Sequence, residues 1–297
     1  MTLSFTKKII FTFILVIVCN KSIGQNNECN YYSLSKPDTI PKAFSPQILN
    51  LKGGFKFNVE IKKCDEIYFT TIDSKENIYF SKKQNDKWSS PKIASFSDPN
   101  YSDADPFLTK DGNIIYFISE RPTNPNDENI EWNIWYANNE NGIWTNPKPL
   151  PEPINSNEFD EYFFSISDKG NAFFSSNRTG GEGSFDIYTT KVLANNKFSE
   201  PKNVGGPLNT EKYEFDPYIS PDESFMIFSI NENGNSSLYY TYTNQEDNWT
   251  EPQNLGNKIN ITRQDFAPSL SVDGKFIFYS NNGKLKWVSS KIIDIQN

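Results

Sequence analysis

Four times along this chain an aromatic residue, two spacers and a proline recur: Trp88-Ser-Ser-Pro91, Trp144-Thr-Asn-Pro147, Phe198-Ser-Glu-Pro201 and Trp249-Thr-Glu-Pro252. The prolines step by 56, 54 and 51 residues. Periods of that length belong to solenoids, propellers and arrays, in which each repeat is one supersecondary unit. Every period also carries an acidic lead-in, a turn and an aromatic strand, as in DADPFLTKDGNIIYF, EFDEYFFSISDKGNAFF, EFDPYISPDESFMIF and DFAPSLSVDGKFIFY. Beyond the first residues helical periodicity is missing. Short apolar or alternating runs rich in Ile, Phe and Tyr are bounded instead by Gly, Asn, Asp and Pro. Three strands and the aromatic-x-x-Pro segment fill one period, and four strands per period make one propeller blade.

The periods place blades near residues 51–100, 101–157, 158–212 and 213–262, with a fifth starting at Arg263 that ends before any aromatic-x-x-Pro segment. Ala43-Phe44-Ser45-Pro46-Gln47-Ile48 echoes that segment at the other end of the chain. A strand over residues 44–49 would complete the fifth blade and cover two sheet edges that otherwise invite association. The expectation is an all-β, five-bladed β-propeller over residues 43–293, closed by an N-terminal strand and preceded by a lead segment, 25–42.

Lys7 and Lys8 precede an apolar run from Ile9 to Val18, and Ser22-Ile23-Gly24 supplies small residues, so residues 1–24 read as a signal peptide with the mature chain starting at Gln25. The run is shorter than the ~20 residues that span a bilayer, so no stable membrane insertion is expected once it is removed. A lipoprotein reading would make Cys19 the lipidated residue, but bulky Val18 occupies the place where such signals carry a small one. Export to the periplasm or cell surface puts Cys29 and Cys64 in an oxidising compartment, where a disulfide between them is expected. Closing a loop of about 36 residues, it would contribute ~3–4 kcal/mol. It would staple the ring where the first and last blades meet.

The net charge of −8 and pI of about 4.8 exclude a nucleic-acid surface and favour neutral or cationic partners. Histidine is absent, which removes Ser-His-Asp and Cys-His catalysis and imidazole metal ligation. Any chemistry here runs on carboxylates, tyrosines, lysines or arginines.

Ile219-Ser220-Pro221-Asp222, Ser175-Ser176-Asn177-Arg178 followed by Gly180-Gly181, Asp186-Ile187-Tyr188 and the closing Trp287-Val288-Ser289-Ser290-Lys291-Ile292-Ile293 carry a family likeness. With these motifs the chain resembles, over residues 40–293, the WD-like, TolB-type β-propeller repeat family of exported bacterial proteins. The resemblance implies repeats that serve as scaffolding for binding, and a fold shared so widely does not imply a reaction. The expected role is a non-enzymatic, monomeric scaffold for an envelope protein or a glycan.

In a propeller the inner strands begin at the rim of the central channel, so Asp105, Asp160 and Asp216 should converge there, with Asp103, Glu158, Glu214 and Asp265 just before them or their equivalents. The same register is assigned to Phe57 in the first blade and Ala267 in the fifth. A ring of carboxylates suits a cation, a sugar or a basic peptide; equally, an Asp entering a strand accepts backbone N–H groups locally. The alternative is a glycoside hydrolase, which needs two acids roughly 5–9.5 Å apart with unequal pKa values. Copies of one repeat position argue against that inequality.

Acidic loops at 98–105 and 124–129 could offer oxygens to calcium, but no EF-hand or nonapeptide spacing appears and no metal site is assigned. Trp88, Trp144 and Trp249 repeat and so read as packing residues. The insertion ERPTNPNDENIEWNIW belongs to the second blade alone. Asn124, Asp127, Glu128, Trp132 and Trp135 are therefore the candidates for an asymmetric recognition loop.

Overall fold

The computed structural model describes residues 34–44, 49, 54–85, 87–124, 131–194, 197–246 and 248–293. Five antiparallel sheets, each paired in sequence order, form the five blades of a β-propeller. The inner strands are Phe55–Lys62, Asp103–Leu108, Glu161–Ile166, Tyr213–Ile219 and Asp265–Leu270. The outer strands are two-residue pieces, Lys92–Ile93, Lys148–Pro149, Lys202–Asn203, Gln253–Asn254 and, for the last blade, Lys42–Ala43. Short outer strands that follow a proline leave little free edge for association.

In the second and fourth blades the tryptophan of the repeated motif packs backwards onto the preceding blade, whereas Phe198 packs on Phe164 of its own blade. The Trp144 indole N–H donates to the Tyr68 hydroxyl at 3.0 Å, and its ring meets Tyr68 and Phe96 edge-on at 79° and 82°. Trp249 meets Phe173 of the third blade at 80°. Repetition here marks the packing of one blade against the next.

The ring closes through the N-terminal strand. Lys42 pairs with Trp287 and Ala43 with Lys286, and the Phe44 N–H donates to the Leu285 carbonyl at 2.9 Å. Phe44 is buried against Phe278 and Trp287, with centroids 4.8 and 5.5 Å away. The paired residues thus lie just ahead of the expected 44–49; residues 45–48 lie outside the described set. Across the same seam Ser269 Oγ donates to the Val59 carbonyl at 2.6 Å and Ser280 Oγ to the Lys56 carbonyl at 3.2 Å. Gly283, at φ 73°, lies under Phe55, where a Cβ would come within 2.3 Å of the ring; only glycine fits both demands.

Each inner strand carries one β-bulge, centred on Asn58, Asp105, Phe163, Asp216 and Ala267, at φ 44°, 50°, 50°, 54° and 53°. Asn and Asp tolerate this left-handed conformation; Phe and Ala adopt it only where the surroundings impose it. The ring therefore dictates the bulge, and the bulge aligns the blades residue by residue. It corrects two registers: Phe163, not Asp160, matches Asp105 and Asp216, and Asn58, not Phe57, occupies the place in the first blade. The Glu-Phe-Asp of 158–160 imitates that of 214–216, but the strand is positioned by the turn after it, where Ser167 matches Ser220.

The signal segment 1–24, Cys19, Asp127 and Glu128 fall outside the described residues, as does the Cys29–Cys64 bridge because Cys29 does. Cys64 itself sits in the tight turn after the first inner strand, where Lys63 and Cys64 have φ 47° and 64°. Among the described residues no helix is long and apolar enough to cross a membrane.

Candidate binding site

Two residues before the bulge stand Asp103, Glu161, Glu214 and Asp265, all fully buried. Each carboxylate clamps the loop leading into its own strand. Asp103 accepts the Asp98 N–H at 2.7 Å, Glu161 the Ser156 N–H at 3.1 Å, Glu214 the Thr210 N–H at 3.1 Å and Asp265 the Thr262 N–H at 2.8 Å. In two blades an arginine completes the clamp. Arg121 reaches Asp103 at 2.5 Å and Arg178 reaches Glu161 at 3.0 Å. Both guanidinium groups also lie over aromatic rings, Arg121 over Phe117 and Trp135, Arg178 over Phe174 and Tyr188, 5.1 to 5.4 Å from the centroids. Trp135 is therefore core. This tier joins loops to strands.

The bulge tier is different. Asp105 and Asp216 are buried without a cation in contact among the described residues. Asp216 accepts the Ala267 N–H of the next blade at 2.8 Å and the Ser229 hydroxyl at 3.4 Å. Burial nonetheless pushes its carboxyl up to about 7. Asp105 donates its own N–H to Thr70 Oγ1 at 3.2 Å, and the Asn58 carboxamide approaches its carboxyl without closing a bond of ordinary geometry. Burial, then the charges of Asp216 and Glu76, hold Asp105 well above the usual carboxylate range. Glu76 is itself pushed up to about 7, by burial and by Glu120. The Ala267 N–H favours the ionised form of Asp216, a donor that Asp105 lacks.

Around these acids runs a continuous arc of half-buried rings. Trp132 lies 5.7 Å from Tyr162, Tyr162 5.2 Å from Phe185, Phe185 4.6 Å from Tyr213, Tyr213 4.8 Å from Phe215, Phe215 6.5 Å from Phe266 and Phe266 5.9 Å from Phe55. The bulge alignment explains the arc. The residue just before the bulge is Phe57, Ala104, Tyr162, Phe215 or Phe266, and two residues earlier come Phe55, Ser102, Asp160, Tyr213 or Gln264. Asp160 thus belongs to the rim of rings rather than to the buried acids. It accepts the Trp132 N–H at 2.9 Å and binds Asn177. The hydroxyls of Tyr162 and Tyr213 are pushed up by burial and then by Asp160 and Asp216 respectively.

The sequence candidates therefore separate. Asp105 and Asp216 meet in the channel, Asp160 and Trp132 stand at its mouth, Asp103, Glu214 and Asp265 cap loops, and Glu158 and Asn124 are exposed. Sequence reasoning missed Glu76, Tyr162, Phe185, Tyr213, Phe215 and Phe266. Aligning on the strand ends rather than on the acidic motif would have found the aromatics beside the bulge. Among the described residues no group of three or more acids or cysteines could hold a metal ion.

No known family model matches the chain, and no curated protein matches its sequence. Among solved structures, one assigned to TolB of Agrobacterium tumefaciens is 12% identical over 77% of this chain and 71% of its own, with a TM-score of 0.51. TolB from Acinetobacter baumannii is 14% identical over 77% of this chain and 52% of its own, at 0.48. The α-L-arabinofuranosidase PaAbf62A of Podospora anserina is 13% identical over 84% and 93%, at 0.48. The chain spans about half the length of the Acinetobacter protein. At these identities the likeness is one of fold.

Proposed function

We propose that this protein is an exported binding propeller that captures a glycan chain across the channel mouth where the inner strands begin. The observation that carries the reading is the arc of half-buried rings standing over two buried acids. Aromatic faces cover the apolar C–H faces of sugar rings, while tyrosine hydroxyls and carboxyls supply directional bonds to sugar hydroxyls. The acidic surface suits neutral or cationic polymers better than anionic ones. Envelope polysaccharides arrayed on a support test it. Capture of at least one, weakened by Tyr213→Ala and by Asp105→Asn, is expected; absence of capture, or capture indifferent to both changes, sinks the reading. The Cys29–Cys64 bridge belongs to the same proposal, and a mass measurement without reductant that finds two free thiols removes it.

A second reading has its own observation. The two channel acids are unequal, Asp216 having an N–H donor that Asp105 lacks. That weakens the argument that repeat copies cannot divide acid and base roles. As a glycoside hydrolase, the protein would use Asp105 as the proton donor and Asp216 as the ionised partner. Turnover of a polysaccharide, abolished by Asp216→Asn with capture retained, would select this reading over binding alone.

A further inference from the structure

At the other end of the channel, where the inner strands finish, lies a cavity of about 890 Å³. That is the size of a site for a drug-sized molecule. Two residues beyond the bulge the five blades carry Glu60, Phe107, Ser165, Tyr218 and Ser269. This tier is uneven. Ser165 Oγ donates to the Pro217 carbonyl at 2.5 Å and Ser269 Oγ to the Val59 carbonyl at 2.6 Å, so both hydroxyls are committed to neighbouring backbone. The rings of Phe107 and Tyr218 lie 6.5 Å apart, tilted at 57°, and both line the cavity. Glu60 lines it too, because its neighbours Val59 and Ile61 turn the other way, into the apolar layer between the last and first blades.

The Leu108 N–H lies close to the Glu60 carboxyl, and among the described residues no cation is paired with it. Lys110, at the rim, is held by Asp168. Asp222 accepts from Ser220 and Ser224 in its own turn, and Lys291 stands exposed. Burial pushes Glu60 well above the usual carboxylate range. Half-buried in the cavity wall and without a counter-ion, this carboxyl takes up its full charge only when a cation completes the pair.

We infer that this cavity binds a small organic ammonium ion, its cationic head on Glu60 and its apolar body against Phe107 and Tyr218. Charge complementarity selects the cation, and the two rings add attraction for it. The ligand completes the pair that the fold leaves open. The site is separate from the glycan face and stands whether or not that face binds glycan.

Calorimetric titration of the full chain with tryptamine and with its neutral analogue tryptophol tests this. Tryptamine should bind at least about tenfold more tightly, the difference expected of a charged hydrogen bond over a neutral one. Glu60→Gln, nearly isosteric and checked for an unchanged melting profile, should abolish that preference; Asp105→Asn, inside the channel and away from Glu60, should leave it intact. Equal binding of the two probes, no tryptamine binding at millimolar concentration, a preference that survives Glu60→Gln, or one lost with Asp105→Asn overturns the inference.

Discussion

Two tiers of acids sit two residues apart on the same inner strands and live by opposite physics. In the tier of Asp103, Glu161, Glu214 and Asp265 every carboxylate accepts a backbone N–H from the loop before it, and two are paired with arginine. In the bulge tier Asp105 and Asp216 have no cation, and Asp105 faces the charges of Asp216 and Glu76. Burial is shared, so burial alone cannot mark function. What differs is what the carboxyl holds: the first tier ties a loop to its own strand, whereas Asp216 reaches the Ala267 N–H of the next blade and Asp105 receives no side-chain hydrogen bond of ordinary geometry. An acid so placed in a strained backbone position is a feature that folding alone does not explain.

The largest effect that would sharpen the contrast comes from the loop-capping tier. Asp103→Ala leaves Arg121 buried without its carboxylate, and breaking a buried pair from one side costs about 3–5 kcal/mol. Denaturant unfolding should show that loss, while Asp105→Asn, measured at the same pH, should cost far less. Comparable losses from the two would erase the distinction between tiers.

The second effect is one of pH. Asp216 titrates near 7 in the folded protein and near 3.9 unfolded. Its folded value is raised, so its contribution is fully present below about pH 4 and is lost as pH climbs through 7. Asp216→Asn removes the titration while keeping an acceptor for the Ala267 N–H. The variant should gain on the parent by about 2–3 kcal/mol between pH 5 and pH 8. Melting curves at the two pH values check it; a gap that does not widen with pH would mean the carboxyl is solvated after all.

The rings come next. Tyr213→Ala removes a link of the arc whose neighbours Phe185 and Phe215 remain, so capture of the glycan should weaken by roughly tenfold, in line with the ~1.4 kcal/mol of a stacked aromatic contact. Affinity electrophoresis reads that directly. Unchanged mobility would leave the arc as packing between blades.

How much of this was legible follows the same division. The repeat revealed the blades and the closure by an N-terminal strand, because packing within and between blades demands a bulky aromatic at one place in every copy, as Trp144, Phe198 and Trp249 show. The site was only half legible. The motif puts Asp105 and Asp216 together, as the structure does, but it also puts Asp160 beside them because its Glu-Phe-Asp copies 214–216, whereas the bulge is counted from the strand's far end and falls on Phe163. A bulge inserts one residue without any sequence mark of its own, so every residue beside it, including Tyr162, Phe215 and Phe266, was invisible as a set. Trp135, chosen for its place next to an insertion, belongs to the core under Arg121.

The smallest expected effect concerns Glu158, which shares its motif with Asp160 yet lies exposed on the loop ahead of the third inner strand. Among the described residues no hydrogen bond or ion pair of its side chain is seen, whereas Asp160, two positions further along, holds the Trp132 N–H. An exposed carboxylate interacts through water, and at physiological salt its field fades within ~8 Å. Glu158→Ala should therefore move stability by no more than about 0.5 kcal/mol and leave glycan capture unchanged. Asp160→Ala should release Trp132 and weaken capture. Measured side by side, these two changes ask whether the acidic motif acts through its charge or through the one residue in it that fixes a ring; equal effects from both would mean charge, and the arc would lose its claim to be the surface that binds.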